Sequence, residues 1–362
     1  MPLSDIIIQK IKDEGPISFR DFMDMSLYYP GLGYYTSDGN KIGRSGDFYT
    51  SPELTPAFGA MIARQIEEMW YLMGEKEFTI VEFGAGNGRL AYDILEYLMN
   101  NKDLYAVLNY RIIEKSPAMR EKAKLVLSDK VTWHDSIEEL GEIRGCILSN
   151  ELPDNFPVHR VMMHDELMEI FVDHKDGFKE VFIPADAALK NYLSELQVEL
   201  PRGYKTEINL EATHWMNKIA PSLKEGFVIT IDYGYPSNEL YSESRSNGTL
   251  MCYNKHHINN QPYQNIGEQD ITAHVNFSAL CHWGIKNGLD FCGLTNQANF
   301  LLSLGIKDYL IKKKDEGRSM MEIARENALI TYTLLLDMGC KFKVLIQRKG
   351  IDEHDLSGLK TF

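Results

Sequence analysis

The chain has 362 residues, 44% of them hydrophobic, enough for one enlarged α/β domain or two smaller ones with a sizeable core. Its formal net charge of −14 argues against general binding to nucleic-acid phosphates and favours a basic acceptor. The five cysteines (Cys146, Cys252, Cys281, Cys292, Cys340) are widely spaced with no C-x-x-C pair, which argues against a disulfide framework or zinc site and fits reduced thiols in a cytoplasmic protein.

Taken in order, residues 3–14 read as an amphipathic helix whose apolar patch is too short for a signal sequence. No run reaches membrane-spanning length, so a soluble, intracellular protein is expected. Gly15-Pro16-Ile17-Ser18 punctuates, and Ser18 can cap a second helix through Leu27. An aromatic, glycine-rich loop follows, from Tyr28 to Tyr35 and on through Gly46-Asp47-Phe48-Tyr49-Thr50-Ser51-Pro52. Its length exceeds what a connector needs. Two readings stay open: the tyrosines pack this arm, or Phe48, Tyr49 and Thr50 cover a ligand. Leu54 to Met73 has helical apolar spacing and reads as a core helix.

The next stretch carries the chemistry. An apolar run ending in Glu82-Phe83 meets Gly84-Ala85-Gly86-Asn87-Gly88 and passes into a helical pattern from Arg89 and Leu90. That is a strand, a tight turn and a helix start, a geometry that aims backbone N–H groups at an anionic or polar ligand. Gly88 follows Gly86 by two residues, not the three of a dinucleotide turn, so a nicotinamide-dependent oxidoreductase is disfavoured. The E-x-G-x-G-x-G form resembles the first motif of class I S-adenosylmethionine (SAM) methyltransferases. Residues 109–113 form a second strand ending in Glu114, where a carboxylate can accept from ribose hydroxyls. Ser116 and Pro117 open another helix. A third strand at Val131 ends in Asp135 and Ser136, where an adenine amino group would meet Asp135, and a fourth ends in Asn150-Glu151. Four such units predict a parallel sheet with its ligands at the strand carboxyl ends.

From Val158 to Pro184 the alternation reads as inserted antiparallel hairpins, followed by helices near 185–196 and 210–219. Residues 226–235 resume the sheet as a fifth strand with Asp232 at its tip. Residues 236–269 read as a polar excursion covering the site, and 270–280 as a helix. A strand at 289–294, helices over 297–336 and a last strand at 341–348 close the fold. His256 and His257 are adjacent and do not share a helix face, so no metal site is expected.

Several separated stretches resemble the MidA-like SAM-dependent methyltransferases: Gly15-Pro16-Ile17-Ser18-Phe19, Tyr29-Pro30-Gly31-Leu32-Gly33-Tyr34-Tyr35, the Gly46 to Pro52 run, Glu82 to Gly88, Asn150-Glu151, Ile231-Asp232-Tyr233-Gly234, Asp270-Ile271-Thr272-Ala273-His274-Val275 and Phe342-Lys343-Val344-Leu345. The resemblance covers nearly the whole chain. It implies an α/β, Rossmann-like class I methyltransferase domain over 76–362, with insertions at about 156–225 and 236–285, preceded by a helical arm over 1–75. The inserted hairpins and helices would be the substrate lobe. It also implies SAM as cofactor and a protein acceptor, an arginine guanidinium, on a partner such as a respiratory complex I subunit; a homodimer stays open. No mitochondrial presequence is visible, which suits a bacterial, cytoplasmic member. After Glu151 the chain departs from the family's aromatic and Asp-Ala pattern, with Leu152-Pro153-Asp154-Asn155-Phe156 instead.

Cofactor candidates are therefore Glu82, Gly84, Ala85, Gly86, Gly88, Leu90, Glu114, Asp135, Ser136, Phe48, Tyr49 and Thr50. Glu151, with Asn150 and Asp232, is placed to hold a planar guanidinium fork and direct its nitrogen lone pair. The alternative is a SAM-binding docking or assembly factor with little catalysis.

Overall fold

The computed structural model describes residues 1–37, 41, 50–254, 257–312 and 319–360. Phe48, Tyr49 and His256 lie outside them. The chain forms two compact units, each from separated stretches: Met1–Phe48, Pro153–Met216 and Gly234–Trp283 in one, Tyr49–Leu152, Asn217–Tyr233 and Gly284–Phe362 in the other. The boundary expected near residue 75 falls inside the second unit.

That second unit is built on a twisted sheet whose seven main strands are β1 (Phe78–Phe83), β2 (Leu108–Ile113), β3 (Val131–His134), β4 (Ile143–Asn150), β5 (Leu223–Tyr235), β6 (Asp290–Asn296) and β7 (Phe342–Lys349). Their order is β3-β2-β1-β4-β5-β7-β6. The first five run parallel, whereas β7 inserts antiparallel between β5 and β6. Strand order reverses between β1 and β4, so the crevice at their carboxyl ends is the switch point where open α/β sheets bind ligands. β1 and β4 are buried almost throughout, as central strands of such a sheet are. Cys146, Ile147 and Leu148 of β4 are fully buried, each hydrophobe contributing about 1.5–3 kcal/mol. The core joins Ile80, Ile112 and Leu148 to Phe58, Ile62 and Ile66 of the helix Pro56–Leu72. The expected single helix from Leu54 is broken. A short helix, Ser51–Leu54, stops at Thr55, whose extended backbone and Oγ1, accepting from Ala57 N–H, start the longer one at Pro56.

In the first unit, helices Leu3–Glu14 and Phe19–Tyr28 bury Ile7, Ile11, Phe22 and Met23, and Ser18 caps the second by accepting from Asp21 N–H. The expected hairpins are strands His159–Met163, Leu167–His174 and Phe178–Pro184, paired antiparallel. One expectation gains detail here and another fails. The stretch 236–269 contains strands Met251–Asn254 and His257–Asn259, which join Asp270–Thr272 in a three-stranded sheet. The expected helix from Asp270 begins only at Phe277, because Ile271, Thr272 and Val275 are β-branched and take extended partners instead.

No described helix is long and apolar enough to cross a membrane, and among the described residues no group of three His, Cys, Asp or Glu could hold a metal ion.

Candidate functional site

Beyond β1 the chain turns through Gly84, Gly86 and Gly88 at φ +68, +56 and +82, a left-handed region where side chains are strained. The protein's own packing also crowds two of these glycines, Gly88 against a rigid alanine and Gly84 against a movable leucine tip. A Cβ on Gly84 would sit 2.9 Å from Leu152 Cδ1, and one on Gly88 would sit 2.9 Å from Ala123 Cβ. Asn87 Oδ1 accepts from Arg89 N–H at the start of the helix Arg89–Leu98. Ala85 and Leu90 are buried in the core cluster. Leu90, a cofactor candidate from the sequence, is 4% exposed.

Glu114, just past β2, ties the turn down. Its Oε2 accepts from Gly86 N–H at 3.0 Å and its Oε1 from Ser116 N–H at 2.8 Å. Burial raises the Glu114 carboxyl above its ordinary value, while those two donors and Arg120 pull it back. A carboxylate has about four lone-pair sites, so these two bonds leave room for further donors.

Two further cofactor candidates have protein partners of their own. Glu82 is only 2% exposed, and its carboxylate accepts from Tyr110 Oη at 2.6 Å. Asp135 ion-pairs with Arg120 at 2.9 Å and is mostly exposed. Ser136 leads into the 3-10 helix Ile137–Leu140. Thr50 is the N-cap of Ser51–Leu54 but makes no side-chain cap bond.

At the tip of β4, Glu151 holds φ +52, left-handed for a residue with a side chain, a strain of about 1–3 kcal/mol that tends to persist at functional sites. Its N–H donates to Ile231 O at 2.9 Å, next to Asp232 within β5. Glu151 Oε1 accepts from Ser51 N–H and from Asn150 Nδ2, each at 3.2 Å. Burial pushes the Glu151 carboxyl up to about 7, against these two donors. Asn150 Oδ1 is buried and has no hydrogen-bond partner among the described residues. Asp232 is fully buried and accepts from Tyr233 N–H at 2.8 Å.

Sequence reasoning missed Ser51, Glu53, Asn87 and Gln297. The available signal was Thr50-x-x-Glu53, the pattern of a capping box. Here Glu53 Oε1 accepts from Asn87 Nδ2 at 2.8 Å rather than closing the box.

A glycine turn after the first strand of a sheet with a switch point and an acid at the tip of the second are the framework of a class I SAM-dependent methyltransferase. Residues 61–295 match the Methyltransf_28 family model, which describes S-adenosyl-L-methionine-dependent methyltransferases. The chain belongs to that family, the MidA-like methyltransferases. It is 27% identical over 94% of its length to "Protein arginine methyltransferase NDUFAF7 homolog, mitochondrial" of Drosophila melanogaster, covering 84% of that protein. With the Xenopus tropicalis NDUFAF7 protein it shares 26% over 93% of its length and 83% of the relative. A COG1565 superfamily protein from Burkholderia thailandensis, solved bound to S-adenosyl-homocysteine, superposes with TM-score 0.89 at 32% identity, over 98% of this chain and 94% of that one.

Proposed function

We propose that this methyltransferase acts on an arginine guanidinium of a protein partner. The carrying observation is the tip of β4, where a half-buried carboxylate on strained backbone stands beside a buried amide oxygen with no partner among the described residues. When bound, SAM supplies a methyl group on a sulfonium, transferred as a carbon–nitrogen bond forms and a carbon–sulfur bond breaks. Glu151 holds the planar N–H fork and takes the proton the nitrogen gives up. Asn150 Oδ1 accepts a further N–H, and Asp232 adds negative charge on the adjoining strand. Gly84, Gly86 and Gly88 present the cofactor's backbone contacts, and Glu114 its ribose acceptors.

The relatives named as arginine methyltransferases support the acceptor type. The resemblance further supports a respiratory complex I subunit as partner, and the charge of −14 supports attraction of a cationic segment. In this reading the enzyme works in the cytoplasm, and the hairpins from His159 to Pro184 belong to its substrate lobe. Incubation with labelled SAM and cell lysate should place new methyl groups on protein arginine. Mass spectrometry finding them only on other residues, or on no protein, would sink the proposal.

A further inference from the structure

The short helix Ser51–Leu54 touches both parts of this site. At its start, Ser51 N–H donates to Glu151 Oε1 at 3.2 Å, and Ser51 Oγ donates to Gln297 Oε1 at 3.3 Å. Two residues on, Glu53 Oε1 accepts from Asn87 Nδ2 at 2.8 Å. Asn87 stands between Gly86 and Gly88, and its other amide atom caps Arg89 N–H. A single turn of chain, closed by Glu53 N–H donating to Thr50 O at 3.1 Å, therefore runs from the glycine turn to the strand-tip carboxylate.

We propose that Glu53 is a positioning residue: by holding Asn87 it registers Ser51 against Glu151, so that a ligand seated on the glycine turn aligns the carboxylate that receives the methyl acceptor. The inference rests on the reading of Glu151 given above. The two bonds differ in a way that suits this role. The Asn87–Glu53 bond is short and charge-assisted, whereas the Ser51–Glu151 bond lies at the long end of its range and has room to tighten. Carboxylates on the elements packed against Glu151 are Glu53 on the short helix and Asp232 on β5; Gln297 is neutral. Neither acid favours ionisation of Glu151. Among the described residues the donors that do are Ser51 N–H and Asn150 Nδ2, and Ser51 is the one carried by the short helix.

The test needs no methyl acceptor. In protein labelled with carboxyl-13C glutamate, the Glu151 resonance is identified by its absence in Glu151→Gln and titrated by NMR with and without S-adenosyl-homocysteine. S-adenosyl-homocysteine should lower the wild-type midpoint by about half a pH unit or more, since it tightens a donor to the charged form. In Glu53→Ala the ligand-free midpoint should rise and the response to ligand should vanish. Glu53→Gln keeps an acceptor oxygen for Asn87 and should restore both. A helix that merely stabilised the fold would lower the melting temperature and leave the midpoint in place. Should Glu53→Ala fail to fold, Asn87→Ala removes the same bond from the other side, and its ligand-free midpoint should rise likewise. A wild-type midpoint in a folded Glu53→Ala or Asn87→Ala overturns the inference, as does a Glu53→Gln protein that behaves like Glu53→Ala. If Glu151→Gln also transfers methyl groups slowly, only this inference falls. If it transfers at the wild-type rate, the reading of Glu151 falls and takes this one with it.

Discussion

Tyr110 Oη donates to the Glu82 carboxylate at 2.6 Å, joining β2 to β1 with both side chains shut away from water. Burial and the nearby Glu114 charge raise the Glu82 carboxyl to about 7, against the pull of the Tyr110 bond. The native state therefore binds an extra proton between the ordinary glutamate value and about pH 7, and stability falls as pH rises through that window. Glu82→Gln keeps an acceptor for Tyr110 and cannot ionise. Urea melts should show the variant gaining on wild type as pH rises, by about 3 kcal/mol above pH 7 at roughly 1.4 kcal/mol per pKa unit. Parallel stability curves would show that Glu82 does not titrate there.

The glycine turn gives a second prediction. Gly86 sits at φ +56 and donates its N–H to Glu114. Gly86→Val forces a β-branched residue into that region, at about 1–3 kcal/mol of strain, and should pull the turn off the acid. Calorimetry with S-adenosyl-homocysteine should show at least about tenfold weaker binding, since 1.4 kcal/mol is a factor of ten. Wild-type affinity would mean that the cofactor does not use this turn.

Asn150 separates stability from function. Its Oδ1 is buried without a partner among the described residues, and its Nδ2 makes one bond to Glu151. Asn150→Leu discards an unsatisfied acceptor together with that bond, so stability should move by no more than about 1 kcal/mol. Methyl transfer should nevertheless fall by about 10² or more, the scale of a misplaced reacting group. A variant that loses stability but keeps its specific rate would make Asn150 a structural residue.

Much of the sheet was legible because parallel strands covered on both faces read as apolar runs ending in polar tips, as in 79–83, 109–114 and 145–151. The place of β7 between β5 and β6 was not, since a strand's own residues do not name its neighbours. The turn and Glu114 stood out as candidates because their contacts are local or lie one βα unit apart. Ser51 and Glu151 meet across 100 residues, a closeness that only the folded sheet creates. The bond between Glu82 and Tyr110 was hidden for the same reason, since only the pairing of β1 with β2 brings the phenol to the carboxylate.

Transfer itself should follow the ionisation of Glu151. Burial holds this carboxyl up at about 7, the Ser51 and Asn150 donors offsetting only part of the effect. The charged form is the one that grips a guanidinium fork and accepts its proton, so below pH 7 the competent fraction shrinks about tenfold per pH unit. With an arginine-containing peptide as acceptor and saturating SAM, the rate should climb to about pH 7 and then level off. Circular dichroism at each pH keeps unfolding out of the comparison. Glu151→Gln has no proton to lose, so its profile should lose the rise near pH 7 and lie about 10² or more below the wild-type plateau, while SAM binding persists. A wild-type rate that stays flat from roughly pH 5.5 to 8 would show that Glu151 does not serve as the base.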